Sequence, residues 1–338
     1  MATIRRQIEI LKEKGMKINS PSAARFVLKT ENYYNVINAY KDLFLDLTYV
    51  PSCSTEPAEK YKEGVEFEEL HTMFIFDKSL RELFLKYFLI IENQFKTHLA
   101  YEFSLLYGED GYLNHLNFEF TQSNSLNVIE LESIINATIY QNRNTDRIKH
   151  FYANNKHIPI WALVSFFEIG KIRKFFINCK TELKENVARY YGINTLDLIS
   201  MISTINMFRN VCAHDNRLYC YKINDANKQV ADTPLHANMH ISTVPTKTGS
   251  DYILGKKDLF ACVISLRYLL SETLFSNFFD ELIEIINSLD GKIKSISIDS
   301  ILNRMGFPLE NDQGQLDWKQ LIIVEKTNNN HLSGSIAF

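Results

Sequence analysis

The 338-residue chain lacks the short motifs that mark the commonest enzyme families. It contains no GxxxxGKS phosphate loop, no GxGxxG after a predicted strand, no HExxH zinc motif and no GxSxG nucleophile motif. The sequence therefore gives no support for a P-loop nucleotidase, a dinucleotide-dependent enzyme, a zinc protease or an α/β-hydrolase. Glycine and proline are also scarce, with 12 and 7 copies, and their scarcity favours long helices.

Cysteine occurs in a pattern that indicates neither disulfides nor a metal site. Cys53, Cys179, Cys212, Cys220 and Cys262 are odd in number, and no two of them form a CxxC pair. This pattern favours free thiols in a reducing compartment. We predict that the protein carries no metal and no cofactor.

Neither a signal peptide nor a membrane span is evident. The stretch MATIRRQIEILKEKGMKI (1–18) is charged throughout and lacks the apolar centre of a signal peptide. The longest apolar run, LFLKYFLII (83–91), is far shorter than the roughly 20 residues of a membrane helix. The formal net charge of −3 does not indicate a general nucleic-acid binder, although it is compatible with a local basic groove. We predict a cytoplasmic protein with no membrane contact.

Apolar residues recur at three- and four-residue spacing through most of the chain, which predicts an all-α protein. Ser20 followed by Pro21 is typical of a helix start. The run from about Phe67 to Tyr107 predicts a long helix that ends at Gly108. Further single helices are predicted over 2–14, 32–44, 195–214 and about 258–289, the last with Asp258 as its cap. One helix or a pair of helices is predicted over 158–179, interrupted near Gly170.

Changes in composition divide the chain into four predicted units. Residues 1–222 form a helical domain, and 223–257 form a loop or β-hairpin insertion, because NDANKQVADTP and VPTKTGSDYILG are polar and rich in turn-forming residues. Residues 258–326 form an additional C-terminal helical segment that packs on the core. The polar tail 327–338 is expected to fray.

The helix predicted over 195–214 ends in an unusual cluster of polar residues, MFRNVCAHDNRLY (207–219). Met201, Ile205, Phe208 and Cys212 fall within one stripe of a helical wheel, and we expect this stripe to face the core. Asn210 and His214 lie roughly opposite the stripe, and Arg209 flanks them. Two interpretations stay open from the motif alone: a reactive site, or cations that simply favour the C-terminal end of the helix dipole.

Four blocks of the sequence together resemble the Abi family (the AbiD/AbiF-type abortive-infection proteins), within the HEPN superfamily of helical nucleases. They occur in the family's order and cover roughly residues 20–222. The blocks are NYYNVINAY (32–40), FEELHTMFIFDKSLRELFLKYFLIIENQFKTHLAYEFSLLYG (67–108), PIWALVSFFEIGKI (159–172) and MFRNVCAHDNRLY (207–219).

The resemblance implies an HEPN-like helical bundle and a metal-independent endoribonuclease that acts as an antiphage toxin. It assigns catalysis to Arg209, Asn210 and His214. Histidine exchanges protons near cellular pH, and arginine binds phosphate through two hydrogen bonds, so the residue types suit this chemistry. The alternative is a catalytically silent HEPN scaffold that binds RNA or protein.

The spacing of the motif adds an expectation about assembly. Arg209 and His214 are five residues apart, which separates them by about 140° around a regular helix. Either the helix loosens before His214, or two copies of the helix meet and pool their motifs, as HEPN enzymes do. We therefore expect a homodimer. RNA is the expected substrate, and the expected restraint is a protein antitoxin or a small structured noncoding RNA.

Weaker predictions concern substrate binding. Arg217, just after the motif, is expected either to contact RNA or to cap the helix. The cluster KIRK places Lys171, Arg173 and Lys174 together, either along RNA phosphates or on a solvated face.

Three further observations concern supporting residues. Asp77 and Arg81 are four apart on the long predicted helix, which favours an intrahelical ion pair. Glu92 lies eleven residues beyond Arg81, near the same face, where it is a candidate to support the motif arginine. His236 and His240 are also four apart, but without a third ligand they do not indicate a metal site.

Overall fold

α-Helices make up most of the fold, and the predicted all-α class is confirmed. The computed structural model describes residues 3–53, 56–155, 157–224, 229–246, 249–309 and 317–326. Its α-helices are α1 (Ile4–Glu13), α2 (Pro21–Thr30), α3 (Phe67–Tyr107), α4 (Ser125–Asn142), α5 (Asp146–Asn155), α6 (Ile160–Leu163), α7 (Ile169–Asn178), α8 (Thr181–Arg189), α9 (Thr195–Ala213), α10 (Pro234–Asn238), α11 (Leu259–Leu269), α12 (Glu272–Asn287) and α13 (Ile298–Met305). Strands β1 (Thr243–Thr246) and β2 (Gly249–Tyr252) pair antiparallel, inside the predicted insertion.

The long helix α3 is the centre of the molecule. Its 41 residues span about 60 Å, and it ends where predicted, because Gly108 adopts a left-handed φ of +82°. Phe84, Phe88 and Phe95 are fully buried along its length. The helices α6, α8, α9 and α12 all pack against α3, so it forms one side of the candidate site described below.

Local capping chemistry determines where two of the predicted helices begin. The Ser20 hydroxyl accepts the Ala23 N–H at 3.4 Å, and Pro21 is the first residue of α2. The Asn194 side chain accepts the Asp197 N–H at 2.9 Å and so starts α9. Both starts are confirmed.

The single helix expected over 258–289 is wrong, because the chain forms two helices there. Asp258 caps the first, as expected, by accepting the Ala261 N–H at 3.1 Å. Leu270 then leaves the helix with an extended backbone (φ −94°, ψ 153°). The Ser271 hydroxyl accepts the Leu274 N–H at 3.4 Å and starts α12. A serine cap inside an apolar run therefore outweighs the continuous helical periodicity.

The tyrosine-rich stretch 32–44 also differs from its prediction. It forms one π-helical turn, Tyr34–Asn38, and one 3-10 turn, Lys41–Leu43, instead of a continuous helix. The irregular backbone turns the Tyr40 side chain into the core, where it is 2 % exposed.

Over 158–179 the expected interruption is present, with an extended Phe167 three residues before Gly170. Helices α4 and α5 fall in a stretch for which the sequence predicted no helix.

The C-terminal helices lie against the N-terminal ones. Helix α11 packs on α9, and α12 packs on α3. One hydrophobic core contains residues from Ile8 to Leu321. Because this core is shared along the chain, it does not mark where one predicted unit ends and the next begins, and those limits stay predictions. The tail 327–338 lies outside the described residues. Within the part of the chain that is described, no helix combines the length and apolarity needed to cross a membrane.

Candidate functional site

Helix α9 buries its predicted stripe and exposes part of the polar cluster at its C-terminal end. Met201, Ile205 and Phe208 are fully buried, and Cys212 is 8 % exposed. Asn210 is exposed, and so is His214, which is the C-cap residue of the helix. Burial is wider than the stripe, because α9 packs between α3, α7 and α11.

The side chains of the polar cluster have no partner within the part of the chain that the structure describes. Among the described residues, Arg209, Asn210 and His214 make no side-chain hydrogen bond or ion pair. Arg209 is half-buried rather than open to solvent, and its Nε atom is buried without an acceptor. A buried donor without an acceptor carries a desolvation cost of about 1–3 kcal/mol, which a bound anionic group would relieve.

The backbone favours one of the two solutions to the 140° mismatch. The His214 N–H still donates to the Asn210 carbonyl at 3.1 Å, so the last helical turn is intact. His214 leaves helical geometry only at its own position (φ −103°, ψ 16°). The helix therefore does not loosen before His214, and one chain keeps Arg209 and His214 on different sides of α9.

Asp77 in the centre of α3 holds the segment that follows the motif. Its carboxylate is fully buried and accepts the Tyr219 N–H at 2.7 Å and the Leu218 N–H at 3.2 Å. It also accepts the Tyr40 hydroxyl and an Arg81 N–H, both at 2.8 Å. The predicted Asp77–Arg81 pair is thus present, and it serves a tertiary contact 141 residues away in the chain.

Arg81 extends this connection to the residue next to His214. Its second terminal nitrogen donates to Asp215 Oδ1 at 2.6 Å, and the Asp215 backbone adopts a left-handed φ of +56°. Tyr40 and Tyr219 stack beside the pair, with ring centroids 5.7 Å apart. From the sequence, Tyr40 is expected in the core, where it lies, but neither Tyr40 nor Asp215 was assigned to this cluster. The available signal was the acid–base pair inside an apolar helix.

Burial shifts the pKa values of the groups in the cluster of Asp77, Arg81 and Tyr40. Burial raises the pKa of the Asp77 carboxyl, while the hydrogen bonds from Tyr219 and Tyr40 and the positive charge of Arg81 act in the opposite direction. Burial acts to lower the pKa of the Arg81 guanidinium, but the combined effect of the Asp77 charge, Tyr40 and the Asp215 charge outweighs burial, so the pKa is raised. Burial also raises the pKa of the Tyr40 phenol, so this hydroxyl remains a donor.

The predicted substrate-binding residues each have a partner within the protein. Arg217 donates to the Ala39 carbonyl at 2.7 Å, so it ties the N-terminal segment and does not cap α9. The three basic residues of the KIRK cluster contact different partners. Lys171 donates to Thr138 at 3.2 Å, and Lys174 pairs with Glu130. Arg173 donates to Ser203 of α9 at 2.6 Å. Burial lowers the pKa of Arg173. A role in RNA binding stays a prediction for these residues.

The remaining predicted residues have partners of their own. Glu92 is 7 % exposed and pairs with Lys96 at 2.6 Å. Its second oxygen is buried without a donor, and it makes no hydrogen bond to Arg209. His236 is fully buried, whereas His240 is exposed. Over the described ranges, no group of three or more histidine, cysteine, aspartate and glutamate side chains is arranged to hold a metal ion.

Comparison with known protein families identifies the family to which this chain belongs. Residues 26–220 match the family described as Abi-like protein, and they make up more than half of the chain. The chain belongs to the Abi-like protein family. This match confirms the predicted Abi resemblance and supports an abortive-infection protein. No curated protein and no solved structure matches this Abi-like protein. The matched range contains both the Asp77–Arg81 pair and the α9 cluster.

Proposed function

We propose that this Abi-like protein is a cytoplasmic, metal-independent endoribonuclease of the HEPN type that acts as an abortive-infection toxin. The observation that carries the proposal is the state of Arg209, Asn210 and His214: their side chains have no partner among the described residues, whereas the segment behind them is held firmly. One buried donor without an acceptor, Arg209 Nε, beside two exposed polar side chains on a well-anchored backbone supports a ligand-binding site.

The residue types suit one transesterification reaction. His214 takes the proton of an RNA 2′-hydroxyl, and the 2′-oxygen then attacks the adjacent phosphorus. The bond from phosphorus to the 5′-oxygen breaks, a proton is returned to that oxygen, and the products are a 2′,3′-cyclic phosphate and a 5′-hydroxyl. Arg209 binds the phosphate oxygens, and Asn210 donates to the phosphate or orients the imidazole ring.

A homodimer would complete the site. Because the last turn of α9 is regular, the mismatch of about 140° persists within one chain. A two-fold axis near the end of α9 would combine Arg209 of one copy with His214 of the other, and a second histidine would return the proton. Of the α9 residues only Leu196, Asn210 and Ala213 are exposed. The two copies must therefore meet at the C-terminal end of the helix, and light scattering should show a dimer.

An RNase of this kind harms its own cell unless it is restrained. We include in the proposal a restraining partner, either an antitoxin protein or a small structured RNA, that covers the exposed end of α9. Affinity purification of the tagged protein from its own cells, followed by analysis of the co-purified proteins and RNA, would identify which partner is bound.

The test compares two histidine variants in one purified cleavage assay. His214→Asn should lower the cleavage rate by roughly 10²–10⁴-fold, the usual contribution of a general acid or base. Cleavage by the unaltered protein should persist in EDTA, should leave a 2′,3′-cyclic phosphate, and should fail on RNA that lacks the 2′-hydroxyl at the cut site. Arg209→Lys should also be harmful, because lysine lacks the planar two-pronged contact with phosphate.

His240→Asn is the matched control. His240 is also exposed, and asparagine tolerates its left-handed φ of +50°. This variant should cleave like the unaltered protein, and thermal melting should show that both variants are folded. Equal cleavage by both variants would refute the role of His214. Binding of RNA without any cleavage would favour the alternative, a catalytically silent RNA- or protein-binding module.

A further inference from the structure

A groove of about 450 Å³ lies between α3 and the segment that contains α6. It is separate from the polar cluster of α9, and none of its lining residues belongs to that cluster. The α3 side contributes Asn93, Lys96, Thr97, Ala100, Tyr101 and Ser104, and the opposite side contributes Glu109, Trp161, Val164 and Ser165. Its size and its mixture of apolar walls with a few polar groups are typical of a small-ligand site.

Two exposed aromatic rings line this groove. Trp161 is 53 % exposed and Tyr101 is 57 % exposed, although each belongs to a helix that is otherwise well packed. The Trp161 ring is held in place, because its Nε1–H donates to Glu109 at 3.3 Å and Phe151 packs edge-on against it at 5.4 Å. A fixed and exposed indole is suited to stacking on a planar ring, because little side-chain freedom is lost on binding.

The charges in the groove favour a base over a phosphate. Lys96 is the cation in the lining, and Glu92 already neutralises it at 2.6 Å. Glu109 adds a negative charge, which repels phosphate but accepts hydrogen bonds from an exocyclic amino group. Ser104 offers one more polar contact, since its Oγ atom is buried without a partner.

The groove is connected to the polar cluster by a short stretch of chain. Ser165 lines the groove, and Gly170 is five residues further on, so at most about 18 Å of extended chain separates them. Gly170 lies against α9, because a Cβ atom there would be 3.2 Å from Asn206 Oδ1. Asn206 is one helical turn before Asn210. This path sets an upper limit on the separation of the groove and the cluster, and a few nucleotides of single-stranded RNA can span it.

We propose that this groove binds one unpaired nucleobase of the RNA, stacked on Trp161, at a short distance along the strand from the phosphate that is cleaved. This inference rests on the proposed ribonuclease function and deepens it, because it assigns the substrate class as single-stranded RNA with a base-binding subsite. The preferred base carries an exocyclic amino group that faces Glu109.

Tryptophan fluorescence tests the inference directly. The chain has two tryptophans, and the second, Trp318, is 1 % exposed in the core. The probe is a hexamer of riboadenylate, titrated into the full-length His214→Asn protein so that it is not cleaved. We expect the hexamer to quench the exposed Trp161, and we expect an abasic hexamer with the same phosphates to quench far less. Trp161→Phe, which leaves only Trp318, should abolish the quenching.

Affinity variants provide a second readout. By fluorescence anisotropy of a labelled hexamer, Trp161→Ala and Tyr101→Ala should each weaken binding by roughly tenfold or more, the usual effect of losing one base-stacking ring. Phe26→Ala is the matched control, because Phe26 is an aromatic residue outside the groove and is even more exposed (68 %) than Trp161 and Tyr101. Glu109→Gln should change the preference between adenine and uracil hexamers more than it changes overall affinity.

The outcomes separate this inference from the proposed function. Equal quenching by the abasic hexamer, or unchanged affinity in the Trp161 and Tyr101 variants, would overturn the base subsite even if the unaltered protein cleaves RNA. Quenching that depends on the bases would support the subsite. If the unaltered protein bound RNA in this way but did not cleave it, only the ribonuclease proposal would fail. Failure of every RNA probe to bind, with a protein partner that covers Trp161, would overturn both.

Discussion

Replacing Asp77 by alanine removes the carboxylate to which the segment behind His214 is attached. Four donors lose their acceptor at once: the N–H groups of Leu218 and Tyr219, the Tyr40 hydroxyl and one nitrogen of Arg81. None of these groups gains access to water easily, because Tyr40, Leu218 and Tyr219 are at most 2 % exposed. The guanidinium of Arg81, 5 % exposed, would keep only Asp215.

The size of the effect follows from these losses. Breaking a buried ion pair by removing one partner costs about 3–5 kcal/mol, and buried N–H groups without an acceptor add about 1–3 kcal/mol each. The sum is a large part of the roughly 5–15 kcal/mol by which a folded domain is stable. Asp77→Asn keeps the shape and one acceptor oxygen for the two N–H groups, so it should lose less. The order of stability should be unaltered protein, then Asp77→Asn, then Asp77→Ala.

Urea unfolding measures the free energy, and hydrogen exchange measures where it is lost. In Asp77→Asn, amide exchange over 214–219 should accelerate more than exchange in α12, and RNA cleavage should fall with it, because His214 is no longer positioned. Glu13→Ala is the control, since it removes a surface ion pair with Arg6 (2.6 Å) and should change little. A loss below about 1 kcal/mol in Asp77→Ala would refute the reasoning from buried donors.

Two further predictions concern stability. His236 is buried and neutral, accepting the Thr233 N–H at Nδ1 and donating from Nε2 to the Gly255 carbonyl at 3.1 Å. Burial lowers its pKa, so its contribution to stability is complete above about pH 6.5 and is lost as the pH falls further. His236→Gln should therefore lose less stability between pH 7.5 and pH 5.5 in urea unfolding, and equal losses in both proteins would contradict this. Gly306→Ala should destabilise by about 1–3 kcal/mol more than Gly64→Ala, because both positions have φ +85° but only at 306 would the new Cβ overlap Asp258, at 2.1 Å from its Cγ. Similar melting of the two variants would show that the site relaxes.

The sequence by itself determined the fold class and the parts of the fold that depend on neighbours within one helical turn. The start of α2 follows from the Ser20 cap, and the end of α3 follows from the left-handed Gly108. The buried stripe of α9 and the exposed positions of Asn210 and His214 follow from the helical period. These features depend on bonds from one residue to another three or four positions away, and such bonds are visible in a linear pattern.

The tertiary structure was needed wherever residues distant in the chain contact the same group or line the same groove. Asp77 accepts its bonds from residues 218 and 219, and Arg217 donates to the Ala39 carbonyl, 178 positions away in the chain. Trp161 and Tyr101 face one groove although 60 positions separate them. Local periodicity is equally compatible with many such pairings, because it specifies which side of a helix is buried but not which helix covers it. Packing around α3 selects one of them, and with it the backbone position of His214.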